Sequence, residues 1–201
     1  MWFSPPKVTL ALPSLRPKAP AKRRVEALYP GLTGKHGDAL DFASIVLVAG
    51  GTGIAPMWQI MRQVAGGVGG CEGLRALPLT LLYSCRGDDA LLLDELDAHV
   101  QESPKTRTFV TVTDAASGGV STVDAASHPE LSVRRGRITE ALLAEALERH
   151  LPGQASQHGE QQQQGLGPRV VVSGPSNFGI EVGALLSRIG VSREAVVTLQ
   201  A

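Results

Sequence analysis

Three observations point to an α/β protein built on a doubly wound, five-stranded parallel sheet. Short apolar runs rich in Val, Ile and Leu recur along the chain, bounded by Gly, Pro or Ser, as expected of strands buried on both faces. Segments with apolar residues at helical spacing lie between them. The two patterns alternate five times between Ile45 and Leu199. With right-handed crossovers, that alternation covers both faces of one sheet with helices.

The first strand is Ile45-Val46-Leu47-Val48-Ala49, followed by the turn Gly50-Gly51-Thr52-Gly53 and a helix from about Ala55 to Val64. Pro56 falls in the first turn of that helix, where its missing N–H is harmless. The flexible run Gly66-Gly67-Val68-Gly69-Gly70 ends it. Leu79 to Ser84 is the second strand. A helix is expected from Asp88 to about Glu102, with Leu92, Leu96 and Val100 on one face, Leu93 beside them, and Asp88 and Asp89 favouring the dipole of its first turn. Thr106 to Thr113 alternates as a third strand, and residues 114–136 form a long loop of Ser, Gly, Ala and Asp.

Thr139 has the character of an N-cap, with Ile138 and Leu143 placed as a hydrophobic staple, for a helix running to about Leu151. Residues 153–168, with the run Gln161 to Gln164, form a surface insertion. Arg169-Val170-Val171-Val172-Ser173 is the fourth strand. Gly174-Pro175 leads into a helix from about Asn177 to Ile189, closed by Gly190 at C′. Ala195 to Leu199 is the fifth strand.

Composition bounds what the chain does. It has 201 residues, suiting one domain with a terminal arm, and 43% of them are hydrophobic. Nineteen Lys and Arg balance nineteen Asp and Glu, which argues against a protein that holds nucleic acid by neutralising phosphates. Cys71 and Cys85 form no CxxC pair, so neither a zinc site nor a disulfide framework is expected, and both read as small passive fillers in a reducing compartment. The apolar runs are too short for a transmembrane helix, which needs ~18 residues. Residues 1–43 are broken by prolines and offer at most a short edge strand at Val8 to Leu12. They read as an arm or remnant, with six basic residues in the first 25 that also suit a mitochondrial or plastid transit segment; otherwise the chain is cytoplasmic. Residues 44–201 form the folded domain.

In such sheets ligands bind outside the carboxyl ends of the strands, at the topological switch point. The turns after the first and fourth strands therefore matter most. Gly50-Gly51-Thr52-Gly53-Ile54-Ala55-Pro56-Met57 joins a strand to a helix: its glycines admit a close pyrophosphate, and the helix N-terminus supplies free N–H groups. The other reading of this turn is tight geometry alone. His36, His99, His128, His150 and His158 share no spacing and read as solvated side chains on loops and exposed helix ends. Neither a Gly-x-Ser-x-Gly elbow nor a Walker lysine is present.

On those eight residues the chain resembles the nicotinamide-nucleotide-binding domain of the ferredoxin–NADP reductase superfamily, its NADH-cytochrome b5 reductase branch above all. Leu82-Tyr83-Ser84-Cys85-Arg86 with Asp88-Asp89, Gly136-Arg137-Ile138-Thr139 and Val172-Ser173-Gly174-Pro175 are similar to later family motifs, in the same order, over about residues 44–200. The resemblance implies a Rossmann-like domain that binds NADH or NADPH, passes hydride to FAD, and sends electrons on to a haem or iron–sulfur protein such as a cytochrome.

It also implies roles. Gly50, Gly51, Thr52 and Gly53, with Ala55, Pro56 and Met57 behind them, would cradle the pyrophosphate and nicotinamide side. Ser84 and Arg86 would read the adenosine ribose; Arg86 suits a 2′-phosphate and Asp88 an unphosphorylated ribose, so both nucleotides stay open. Ser173 would hydrogen-bond the carboxamide, which makes Thr52 and Ser173 the catalytic candidates. Gly174 and Pro175 would clamp the nucleotide, and Phe178 would contact adenine or face the core. Ser173 stands where the family has Cys, Ser176-Asn177-Phe178 where it has Pro-Pro-Met, and Gln200-Ala201 where it ends on an aromatic residue. The family's flavin-barrel motifs are not recognisable in residues 1–43, so the flavin would come from a flavin-bearing partner, free FAD or a longer product. The alternative is a nucleotide-binding module or partner subunit without catalysis.

Overall fold

The computed structural model describes residues 42–66, 76–113, 123, 125–150 and 167–200. Among the described residues six strands form one sheet: β1 (Ser44–Gly50), β2 (Leu79–Arg86), β3 (Thr106–Thr113), β4 (Ser132–Arg135), β5 (Pro168–Gly174) and β6 (Val196–Gln200). Four α-helices accompany them among those residues: α1 (Ile54–Gly66), α2 (Leu93–Glu102), α3 (Glu140–Glu148) and α4 (Ser176–Arg188). The sheet order is β4-β3-β2-β1-β5-β6 and every pairing is parallel. The chain winds outward from β1 to β4, then crosses back to lay β5 on the other side of β1, which puts the switch point between the ends of β1 and β5.

Alternation along the central strands builds a core on each face. Ile45, Leu47 and Ala49 of β1 join Leu81 and Tyr83 of β2 beneath Met57, Met61 and Leu96 from α1 and α2. Val46 and Val48 face the other way, with Leu82, Val170 and Val172, against Leu143 and Leu147 of α3 and Val182 and Leu186 of α4. A fully buried side chain of this size contributes about 1.5–3 kcal/mol. Both faces are covered, so the central strands are mostly apolar along their length, as seen in the wholly buried β1, where only Ser44 carries a polar side chain.

The sixth strand corrects the expected five. β4 lies inside the segment read as loop, and its Ser-Val-Arg-Arg sequence carries a single apolar residue. It forms because β3 offers a free edge, pairing Phe109 to Val112 with Ser132 to Arg135. Arg134 also grips Glu145 of α3 through two hydrogen bonds of 2.6 and 2.7 Å.

The second helix starts at Leu93, not Asp88. Leu92 adopts a left-handed conformation, φ 61° and ψ 24°, that breaks the helical path. Asp94 and Glu95 take the dipole role given to Asp88 and Asp89. Thr139 does cap α3, accepting a hydrogen bond from the Leu142 N–H at 3.2 Å, and Gly190 takes a φ of +83° after α4.

Two histidines also depart from the solvated reading. His99 is buried in α2 and meets Trp58 edge to face. His150 is buried after α3, its Nε2 2.8 Å from the Thr80 hydroxyl. The expected arm ends earlier than residue 43, since Phe42 is buried in the core and the Ala43 N–H bonds the Gly167 carbonyl; residues 1–41, the glycine run from Gly67, residues 114–122 and 124 of the long loop, the glutamine insertion, Cys71, His36 and His158 lie outside the described residues. Among the described residues no helix is long and apolar enough to cross a membrane.

The turn after β1 is pressed against β5. A Cβ on Gly53 would overlap the carbonyl of Ser173, and a Cβ on Gly50 would meet the Phe178 ring at 2.8 Å. Gly53→Ala is therefore expected to cost about 1–3 kcal/mol, read as a lower denaturation midpoint. Burial, with Arg149 and Arg107 nearby, pushes His150 down to about 4, and burial lowers His99 as well. The unfolded chain takes up those protons first, so stability is full above about pH 6.5 and falls as pH drops towards 4. His150 alone accounts for about 3 kcal/mol of that loss. Urea denaturation at pH 7 and pH 4.5 checks this, and His150→Gln should flatten the dependence.

Candidate functional site

A cleft of about 1020 Å³ opens at the carboxyl end of the sheet. Its floor is Gly50, Gly51 and Thr52 at the end of β1. Gly51 sits at a φ of +53°, a conformation that favours glycine. Ser84, Cys85 and Arg86 at the end of β2 form one flank, continued by Asp88 to Leu91 of the loop before α2. Pro175, Phe178 and Glu181, from the start of α4, form the opposite flank, and Arg137 and Ile138 close the side after β4.

Two helices start at this cleft. The short 3-10 turn Gly51–Gly53 leads directly into α1 and has no side-chain cap, and α4 begins after Pro175 with no side-chain cap either. Neither α1 nor α4 has an acidic residue in its first turn. Their uncapped N–H groups and positive dipole ends therefore suit an anion. The charges on the walls are mixed. Arg86 pairs with Asp89 at 2.9 Å, and both side chains are more than half exposed, so the pair is weak and open to exchange. Burial pushes the Tyr83 phenol up to about 12 and the Cys85 thiol up to about 11. Both groups are neutral near pH 7, which leaves Cys85 without the thiolate that nucleophilic chemistry needs.

Gly50, Gly51, Thr52, Ser84, Arg86, Asp88, Pro175 and Phe178, all nominated from sequence, line this one cleft. The other nominated residues sit elsewhere. Gly53 and Gly174 lie beneath the floor, where the Phe178 ring packs against Gly174 and Gly50. Met57 is fully buried in the core, Pro56 is half-buried and Ala55 is exposed on α1 away from the lining. Ser173 is fully buried, and its hydroxyl has no hydrogen-bond partner. Asp89, Leu91, Arg137 and Glu181 line the cleft without having been singled out. The first three fall in or beside quoted motifs. Glu181 had no signal, since only the packing of α4 turns it to the cleft.

The residues fit a dinucleotide. Glycines stand where side chains would fill the cradle, two helix N-termini converge on it, and a buried hydroxyl beneath it lacks a partner. Comparison with known proteins points the same way. A stretch of 87 residues, 43% of this chain, is 36% identical to an NADH-cytochrome b5 reductase-like protein of Emericella nidulans and covers 16% of that protein. The fold matches the CS-b5R domains of human Ncb5or in its NAD+ form (TM-score 0.54, 17% identity, 83% of this chain and 39% of that one). It matches the cytochrome b5 reductase domain of Ulva prolifera nitrate reductase (0.53, 21%, 79% and 49%). It also matches the Amycolatopsis cytochrome P450 reductase GcoB (0.57, 19%, 84% and 40%). The chain thus spans less than half the length of each. The family model of the oxidoreductase NAD-binding domain matches residues 47–164, more than half of the sequence. With the parallel sheet, the Gly-rich turn and the cleft at the switch point, that match establishes that the chain belongs to the oxidoreductase NAD-binding domain family.

Proposed function

We propose that residues 44–201 are the nicotinamide-nucleotide half of a flavoprotein reductase of the cytochrome b5 reductase type, holding NADH or NADPH for hydride transfer to FAD and onward electron transfer. The convergence of two uncapped helix N-termini on one cleft carries this reading. The backbone N–H groups of Gly51 to Gly53 would hold the pyrophosphate, and the Thr52 hydroxyl at the rim would bond a phosphate oxygen or the nicotinamide ribose. Ser84, Arg86 and Asp88 would receive the adenosine ribose. Pro175 and Phe178 would limit how deep the nucleotide sits and exclude water from its buried edge. The Ser173 hydroxyl, nominated for the carboxamide, lies buried and unpartnered beneath the floor and would reach a nicotinamide only if the turn above it shifts. When bound, the reduced nicotinamide supplies a hydride, and the protein's part is to present it in a fixed orientation. The flavin and the haem or iron–sulfur acceptor would come from outside the described residues.

A second reading, nucleotide binding without turnover, draws on the complete burial of Ser173, which closes its own hydroxyl off from the cleft. Purified full chain, given NADH and added FAD, is expected to reduce ferricyanide. NADH at 100 times its dissociation constant should add about 2.7 kcal/mol of stability. Stabilisation without turnover at any FAD supply supports the second reading; neither effect sinks both. Asp89→Asn, which frees Arg86, is expected to shift the preference towards NADPH over NADH by about fivefold, read as the ratio of the two dissociation constants.

A further inference from the structure

The loop from Gly87 to Leu92 is an unusual wall for a binding cleft. It has no regular secondary structure beyond turns, yet it contributes Asp88, Asp89, Ala90 and Leu91 to the lining. Its last residue, Leu92, holds a left-handed conformation that a branched apolar side chain adopts only under constraint. Leu91 is a large apolar residue left 44% exposed on the cleft side. Something must hold this backbone in place.

The neighbouring strand supplies the hold. Tyr83 lies in β2 with its side chain fully buried under α1 and α2. Its hydroxyl oxygen accepts a hydrogen bond from the Leu91 N–H at 3.2 Å. A buried phenol needs partners for its polar end, and a loop amide needs an acceptor; each answers the other. Two further bonds fix the loop at its start: the Gly87 N–H donates to the Thr113 carbonyl at 3.0 Å, and the Asp89 N–H to the Arg86 carbonyl at 3.0 Å. Its far end enters α2 through the Leu96 N–H, which donates to the Leu92 carbonyl at 2.9 Å. Between these anchors, the Tyr83 bond ties the middle of the loop to the sheet.

We propose that Tyr83 is a positioning residue for the adenosine end of the cleft: its buried hydroxyl fixes the Leu91 backbone and so holds Leu91 and the Asp88–Asp89 carboxylates where an adenosine docks. The inference rests on the nucleotide reading above. Leu91 then offers an apolar surface to the adenine ring, and the carboxylates stand near the ribose. Tyr83 touches no nucleotide atom itself. Because it sits on a rigid interior strand, it transmits the geometry of the sheet to a loop whose own packing on the core comes from Ala90 and Leu92.

Tyr83→Phe in the full chain removes the acceptor and keeps the ring. Three readouts test it: amide hydrogen exchange at Leu91 in the free protein, and the dissociation constants of NADH and of ADP-ribose. The Leu91 amide is expected to exchange faster, and both ligands to bind about two- to tenfold more weakly by the same factor, since the lost bond serves the half they share. Leu147→Ala, which destabilises the opposite face more, serves as control and should leave both constants unchanged. Unaltered exchange at Leu91 overturns the proposal, as does faster exchange with unaltered ADP-ribose affinity, or an equal loss of affinity in the Leu147 variant. Wild-type protein that binds neither NADH nor ADP-ribose overturns the nucleotide reading, and this inference with it.

Discussion

The turn after β1 lies against the end of β5 with no room for a side chain at Gly53, and the rest of the site follows from that contact. It brings Gly50 and Gly174 together beneath the Phe178 ring and starts α1 and α4 beside one another. Two helices pointing their N-termini at one space repel as dipoles. The arrangement holds because the β1–β5 ladder runs in register from Ser44–Pro168 to Ala49–Ser173, and because α1 and α4 pack against opposite faces. Core packing thus supports an electrostatic arrangement that would not form alone. An anion placed there would relieve the repulsion, and the proposed nucleotide reading draws on that.

Legibility in the sequence tracked burial. β1, β2 and β5 are mostly apolar on both faces and β3 alternates, rich in Thr and Val, so composition and pattern mark them, and their observed bounds agree with expectation to within two residues. β4 escaped because an edge strand is held by ladder bonds and an Arg–Glu clasp, neither of which leaves an apolar pattern. The start of α2 was misplaced for a related reason. Asp88 and Asp89 look like first-turn acids, but Leu92 turns left-handed, and no residue type announces that. The two buried histidines were unreadable since their burial depends on partners far along the chain, Thr80 for His150 and Trp58 for His99.

The site divides along the same line. The Gly-rich floor was legible because glycine is chosen for backbone reasons that act locally. Met57, nominated through its place in the motif, turned out to be core: a motif spans both the residues that meet a ligand and those that fix the helix behind them. Glu181 and Leu91 reach the cleft only through tertiary packing.

The two ends of the cleft are held in different ways, and that difference bears on specificity. At the β1–β5 end the floor is largely backbone, fixed by ladder hydrogen bonds and by Gly50, Gly53 and Gly174, where a Cβ would clash. Little there distinguishes one phosphate ester from another. At the β2 end the lining is side chain and loop: a weak Arg86–Asp89 pair, exposed to water, beside a loop pinned through Tyr83. An exposed ion pair exchanges partners at a cost of at most about 1 kcal/mol. A ligand that brings its own charge to Arg86 therefore meets little resistance, while one that brings none leaves the pair intact. Under the proposed function, choice between nucleotides differing by a phosphate would be made at this end.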